Sequence, residues 1–167
     1  MEIVELCSAA ERREALPILR ELYASLDEDR YAGLLAEMVV DGYRQFALRN
    51  EAGEVVAVAG VAVHVNIYYG RHLYVYDLVV TEGERSKGYG GLLMDHVEGV
   101  ARREGCETAA LACGLEREGA LRLYERRGIR SPVMRCARRC VERAAFEFCE
   151  ESLGIPRARL IAERSLY

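Results

Sequence analysis

Residues 84–93 read ERSKGYGGLL, so Gly88, Gly90 and Gly91 crowd beside the cations Arg85 and Lys87. A run of apolar β-formers precedes them and an amphipathic stretch follows. Where a strand ends in such a turn and a helix begins, about four main-chain N–H groups have no partner within the helix. Together they carry roughly half a unit of positive charge. Glycines lack a Cβ, so a ligand can approach the main chain closely. Arg85 and Lys87 add cationic donors. This is the chemistry of a phosphate or pyrophosphate cradle. The stretch is not a P-loop, because GxxxxGK[ST] is absent. It is not the dinucleotide fingerprint GxGxxG either, since Leu93 stands where the third glycine would be. On the loop alone, a turn that is glycine-rich only for geometry remains open.

The elements around the loop must position it. EIVEL reads as a short strand, and Ser8 with Glu11 forms a capping box for a helix. Ala15, Leu16, Leu19, Leu22 and Tyr23 keep helical spacing. Pro17 inside that pattern predicts a kink or a late start. A second helix runs from Asp27 to about Val40, with Leu34, Leu35 and Met38 on one face and Gly42 at its end. YRQFALRN and EVVAVAGVAVHVNIYY form a hairpin across the turn NEAG, and RHLYVYDLVV is a third strand of this group. In GLLMDHVEGVARREG, Leu93, Val97, Val100 and Ala101 form an apolar face, with Asp95, Glu98 and Arg102 facing away. ETAALAC is a buried strand, and REGALRLYERR is a helix ended by Gly128. The tail holds a helix candidate, VERAAFEFCEESLG, and a weakly alternating ARLIAER. The latter reads as a last strand, or as one that pairs with a second subunit in a homodimer.

Composition narrows the function classes. The chain has 167 residues, enough for one domain over 1–167, and 51% of them are apolar. A net charge of −4 argues against a nucleic-acid partner. No apolar run is long enough to span a membrane, and the acidic N-terminus lacks a signal-peptide pattern. The six cysteines form no CxxC pair and do not cluster with His64, His72 or His96. Core thiols in a reducing cytoplasm follow, with no metal.

RSKGYG also matches the signature [RQ]-x-x-G-x-[GA] of the GNAT (acyl-CoA N-acyltransferase) family. LYVYDLVVTEGERSKGYGGLL resembles that family's fourth strand, pyrophosphate loop and third helix. CETAALACG resembles its fifth strand, and EREGALRLYERRGI its fourth helix, with a tyrosine near the end. The resemblance covers residues 73–129 well and fades beyond about residue 135. It implies an α+β fold whose mixed, mostly antiparallel, twisted sheet has splayed fourth and fifth strands flanked by helices. It implies acetyl-CoA as co-substrate. The pyrophosphate would lie on the main chain of Arg85, Ser86, Lys87, Gly88, Tyr89, Gly90 and Gly91. The pantetheine arm would pair with Leu78, Val79 and Val80, and Arg117 would contact the cofactor or cap the surface.

The implied reaction is acetyl transfer to a primary amine by direct attack in a ternary complex, with a small-molecule or protein amine as acceptor. An N–H near Val79 or Val80 would steady the oxyanion. Tyr124 matches the tyrosine whose hydroxyl reaches the CoA sulfur. Full proton transfer from a phenol to a thiolate is uphill by roughly 2 kcal/mol, so Tyr124 serves as a hydrogen-bond donor that turns acid late. On position alone it equally fits the core. Asp77, an acid among Val and Tyr, is either a catalytic or substrate-orienting carboxylate or a structural one bonded to nearby backbone. Cys113 reads as a buried thiol rather than an acyl carrier. Tyr68, Tyr69, Tyr74 and Tyr76 line an acceptor pocket or pack between strands. Two alternatives stand beside the small-amine reading: a CoA-binding regulatory module without turnover, and a protein N-terminal or lysine acetyltransferase.

Overall fold

The structure, a computed structural model, describes residues 1–114 and 117–129 and the main chain of 135–139. The tail helix and last strand expected from the sequence lie outside these residues. The order is β1 (Glu2–Glu5), α1 (Ala9–Leu19), α2 (Glu28–Val40), β2 (Arg44–Arg49), β3 (Val55–Asn66), β4 (Gly70–Val80), α3 (Tyr89–Arg103), β5 (Thr108–Ala112), α4 (Glu118–Arg126) and β6 (Arg135–Arg139). One sheet joins the strands in chain order. Every pairing is antiparallel except β4 with β5, which is parallel. This is the mixed α+β architecture that the sequence implies.

Local signals explain the helix boundaries. Ser8 accepts from the Glu11 main chain at 3.2 Å and donates its own N–H to the Glu11 carboxylate at 2.7 Å, the reciprocal capping box. Asp27 caps α2 in the same way, accepting from the Arg30 N–H at 2.8 Å. α1 does not start late: Pro17 lies inside it, has no N–H for the Arg13 carbonyl, and the helix ends two residues on, at Leu19.

The sheet separates two cores. On one face α3 and α4 bury Leu93, Val97, Val100 and Tyr124 against Leu73 and Val75. On the other, α1 and α2 bury Leu16, Leu19, Tyr31 and Leu35 against Val58 and Val79. The middle of β3, VAVAGVA, is buried throughout because helices cover both faces. Two expectations need correction. Glu98 does not face water: it is buried, and Arg127 lies over it at 3.4 Å. Helical spacing assigns it to the outer face, but Arg127, just past α4, covers it, while Asp95 and Arg102 of that face stay exposed. Cys7 is exposed, whereas Cys106 and Cys113 are buried.

Candidate active site

The loop between β4 and α3 is shaped by its main chain. A short 3-10 turn, Glu82–Glu84, leads into it. Ser86 and Gly88 both adopt positive φ, +65° and +88°, and Gly88 caps α3. For an L-residue with a Cβ that conformation costs about 1–2 kcal/mol, a cost that Ser86 bears and glycine at 88 avoids. The first helical bonds are those of Gly91 and Leu92, which donate to the Gly88 carbonyl at 2.9 and 3.1 Å. Among the described residues, the main-chain N–H groups of Ser86, Lys87, Gly88, Tyr89 and Gly90 find no acceptor. The side-chain cations are engaged elsewhere. Arg85 pairs with Glu21 at 2.6 Å, and Lys87 with Glu84 at 2.8 Å. Glu21 also accepts from the Thr81 hydroxyl at 2.5 Å and the Glu82 N–H at 3.2 Å, which tethers the loop to the end of α1. The open part of the cradle is therefore amide, not guanidinium or ammonium.

The two central strands part beside this loop. β5 pairs with β4 only from His72↔Thr108 to Val75↔Leu111, while β4 continues to Val80. From Tyr76 onward that edge of β4 has no strand partner among the described residues. Thr81 donates to the Val56 carbonyl on β3. Amides alternate in direction along an antiparallel ladder, so Val79 also faces β3 and Leu78 and Val80 face the open edge.

A β-bulge adds a second effect. Gly60 pairs with Asp77 but Val61 pairs with Val75, so Tyr76 is the extra residue. Before the bulge Val75 faces the α3 core; after it, Val79 faces the α1–α2 core. The inserted residue reverses the face on which odd-numbered side chains lie. Tyr76 and Asp77 therefore point to the same side, into a cavity under α1 and α2.

Asp77 sits at this cavity with 6% of its surface exposed. Its two carboxylate oxygens accept from the Tyr23 hydroxyl at 2.7 Å and the Tyr43 hydroxyl at 2.8 Å. Its partners are tyrosine side chains and not the backbone expected for a structural carboxylate. Burial pushes the Asp77 carboxyl above the usual carboxylate range, and the two hydrogen bonds pull it part of the way back. Burial, with the Asp77 charge, also holds both tyrosines protonated. Since the folded chain binds the Asp77 proton more tightly than the unfolded chain, stability falls as pH rises from about 3.8 through the folded value. Asp77→Asn removes this contribution. Urea unfolding between about pH 4 and pH 7 should show wild type losing stability relative to the variant as pH rises. A constant difference would mean that Asp77 does not titrate there.

Gly60 makes the cluster possible. A Cβ at this position would overlap both the Tyr43 hydroxyl and Asp77 Oδ2. Gly60→Ala should cost about 1–3 kcal/mol of stability by overpacking. It should also displace Tyr43, detectable as a shift of the tyrosine ring resonances; an unshifted ring and unchanged unfolding midpoint would refute the crowding.

α4 closes the site from the other side. Tyr124 is 5% exposed and packs in the α3–α4 core. Arg127 donates to the Gly91 carbonyl at 2.7 Å and pairs with Asp95 at 2.6 Å, so it clamps α4 to the first turn of α3. Arg117 is exposed at the start of α4, and its charge acts on the Tyr23 hydroxyl. Cys113 is buried at the end of β5 and contacts the Gly114 carbonyl at 3.5 Å. Of the four tyrosines considered for an acceptor pocket, Tyr76 lines the cavity, while Tyr68, Tyr69 and Tyr74 do not. Sequence reasoning missed Glu21, Tyr23, Tyr43 and Arg127. Gly60 alone carried a signal, as a lone glycine inside a run of β-formers.

Residues 10–129 match the acetyltransferase (GNAT) family. A Bacillus subtilis protein, the uncharacterized N-acetyltransferase YhdJ, is 38% identical over 121 residues, covering 72% of this chain and 84% of that one. An Arabidopsis thaliana glucosamine-6-phosphate N-acetyltransferase superposes with a TM-score of 0.63 at 17% identity, over 80% of this chain and 95% of that one. A GNAT-family acetyltransferase from Staphylococcus aureus does so with a TM-score of 0.65 at 14% identity, over 84% and 99%. At those identities the two structures speak for the fold alone, whereas the matched profile spans most of the chain. This chain belongs to the GNAT family of acetyltransferases.

Proposed function

We propose that the protein transfers an acetyl group from acetyl-CoA to a primary amine by direct attack in a ternary complex. The observation that carries this reading is the run of unpartnered N–H groups from Ser86 to Gly90, at a helix start beside an open strand edge. When bound, acetyl-CoA supplies the acetyl carbon to which the amine nitrogen bonds as the carbon–sulfur bond breaks.

The chain's own groups divide the work. The free amides of Ser86 to Gly90 hold the diphosphate, each charge-assisted hydrogen bond contributing about 1.5–3 kcal/mol. Leu78 and Val80 offer open-edge amides to the pantetheine arm, in the manner of an added strand. One of these N–H groups also steadies the developing oxyanion. Tyr124 donates its hydroxyl hydrogen bond toward the leaving sulfur and gives up its proton late. Asp77, reached through the cavity, orients the acceptor and takes the proton that its nitrogen sheds.

Calorimetry with coenzyme A and acetyl-CoA tests the reading, with a micromolar dissociation constant expected. Thiol release on adding amines tests turnover. Binding without thiol release from any amine would favour a regulatory module, and no binding at all would overturn the assignment.

A further inference from the structure

The cavity under α1 and α2 has a composition that selects its occupant. Its volume is about 320 Å³, within the range of small-molecule sites. Leu19, Leu26, Leu34, Leu35 and Met38 form its wall. Leu34 is 45% exposed although it shares a helix turn with buried Leu35, because it looks onto this space. Asp77 is the one carboxylate that lines the cavity among the described residues. A carboxylate has about four acceptor positions, and the two tyrosines use two of them. No described cation pairs with it. A buried carboxylate in apolar surroundings is best met by a cation with N–H donors. Arg30, exposed beside the cavity, is the one guanidinium lining it among the described residues and contributes little while solvated.

We infer that this cavity takes a primary amine carried on an apolar body, aliphatic or aromatic, with its nitrogen at Asp77 and its body against the leucines of α1 and α2. The inference rests on the acetyl-transfer reading and names the acceptor class for it. An amino sugar would leave hydroxyls without partners on the leucine wall. A polyamine would bring a second charge into it. A peptide lysine offers only a four-carbon stem, the length of butylamine, and would fill less of the volume than a longer or broader body.

The full chain without cofactor gives a direct readout. It has no tryptophan, and Tyr23, Tyr31, Tyr43 and Tyr76 line the cavity, so tyrosine emission reports occupancy. Butylamine, pentylamine and hexylamine should bind about fourfold more tightly per added methylene. Glucosamine and spermidine should bind far more weakly than hexylamine, and a lysyl peptide no more tightly than butylamine. Leu34→Gln, at an exposed position, should weaken hexylamine about fivefold or more and leave coenzyme A affinity unchanged. Asp77→Asn should erase the preference for hexylamine over hexanol, a selectivity that a merely structural carboxylate would not control. Hexylamine binding no better than glucosamine, or untouched by Leu34→Gln, would overturn the inference. Binding of hexylamine but not acetyl-CoA would sustain the cavity assignment and defeat the acetyl-transfer reading. Binding of acetyl-CoA but not hexylamine would do the reverse.

Discussion

Glutamate at position 88 or 90 is expected to abolish coenzyme A binding, with a loss in affinity of about 100-fold or more. Two effects combine. Gly88 holds φ at +88°, where a side chain costs about 1–2 kcal/mol. A carboxylate there also sits against the diphosphate, and such like-charge contacts cost several kcal/mol, each 1.4 kcal/mol being tenfold in affinity. Gly90 adds a steric term, since its Cβ would come within 3.2 Å of Leu123 and 3.6 Å of Val80. Gly88→Ala separates the contributions: space is open at that position, so it carries backbone strain without charge. Calorimetry should rank wild type, Gly88→Ala and Gly88→Glu in falling order. Equal affinities across the three would remove the loop from the cofactor site.

Tyr124→Phe should lower turnover by about 100-fold while the dissociation constant for acetyl-CoA stays within about threefold. The ring is buried among Leu93, Val97 and Ile129, and phenylalanine keeps that packing. What the variant lacks is the hydroxyl. Loss of a group that acts only as the sulfur departs appears in kcat and not in ground-state binding. Thiol release measured at saturating acetyl-CoA, beside calorimetry on the same preparation, gives both quantities. Unchanged turnover would leave Tyr124 as a core residue and nothing more.

The anchor on the α1 side bears on both experiments. Glu21 holds the loop through Arg85, Thr81 and Glu82, while Tyr23, two residues on, holds Asp77. One short segment thus touches the proposed cofactor loop and the acceptor cavity. Arg127 plays the corresponding part for α4, fastening the helix of Tyr124 to the first turn of α3.

Local chemistry made much of this legible beforehand. The capping box at Ser8, the glycine stop after α2, the β-rich runs and the turn at residues 85–91 are short-range features, each governed by a few neighbouring residues. The signature RSKGYG, with the strands beside it and the tyrosine-bearing helix after it, resembled one family. Tertiary structure decided what depends on distant partners. The bulge at Tyr76 is a property of two paired strands, and it alone turns Asp77 toward Tyr23 and Tyr43. Glu98 lies on a face that looks polar along one helix, and Arg127, distant in sequence, covers it there. The charges of Arg85 and Lys87 promised cationic donors, but Glu21 and Glu84 hold them. Periodicity reports which way a side chain leaves its own element; which groups meet it there is settled only when the sheet and helices pack.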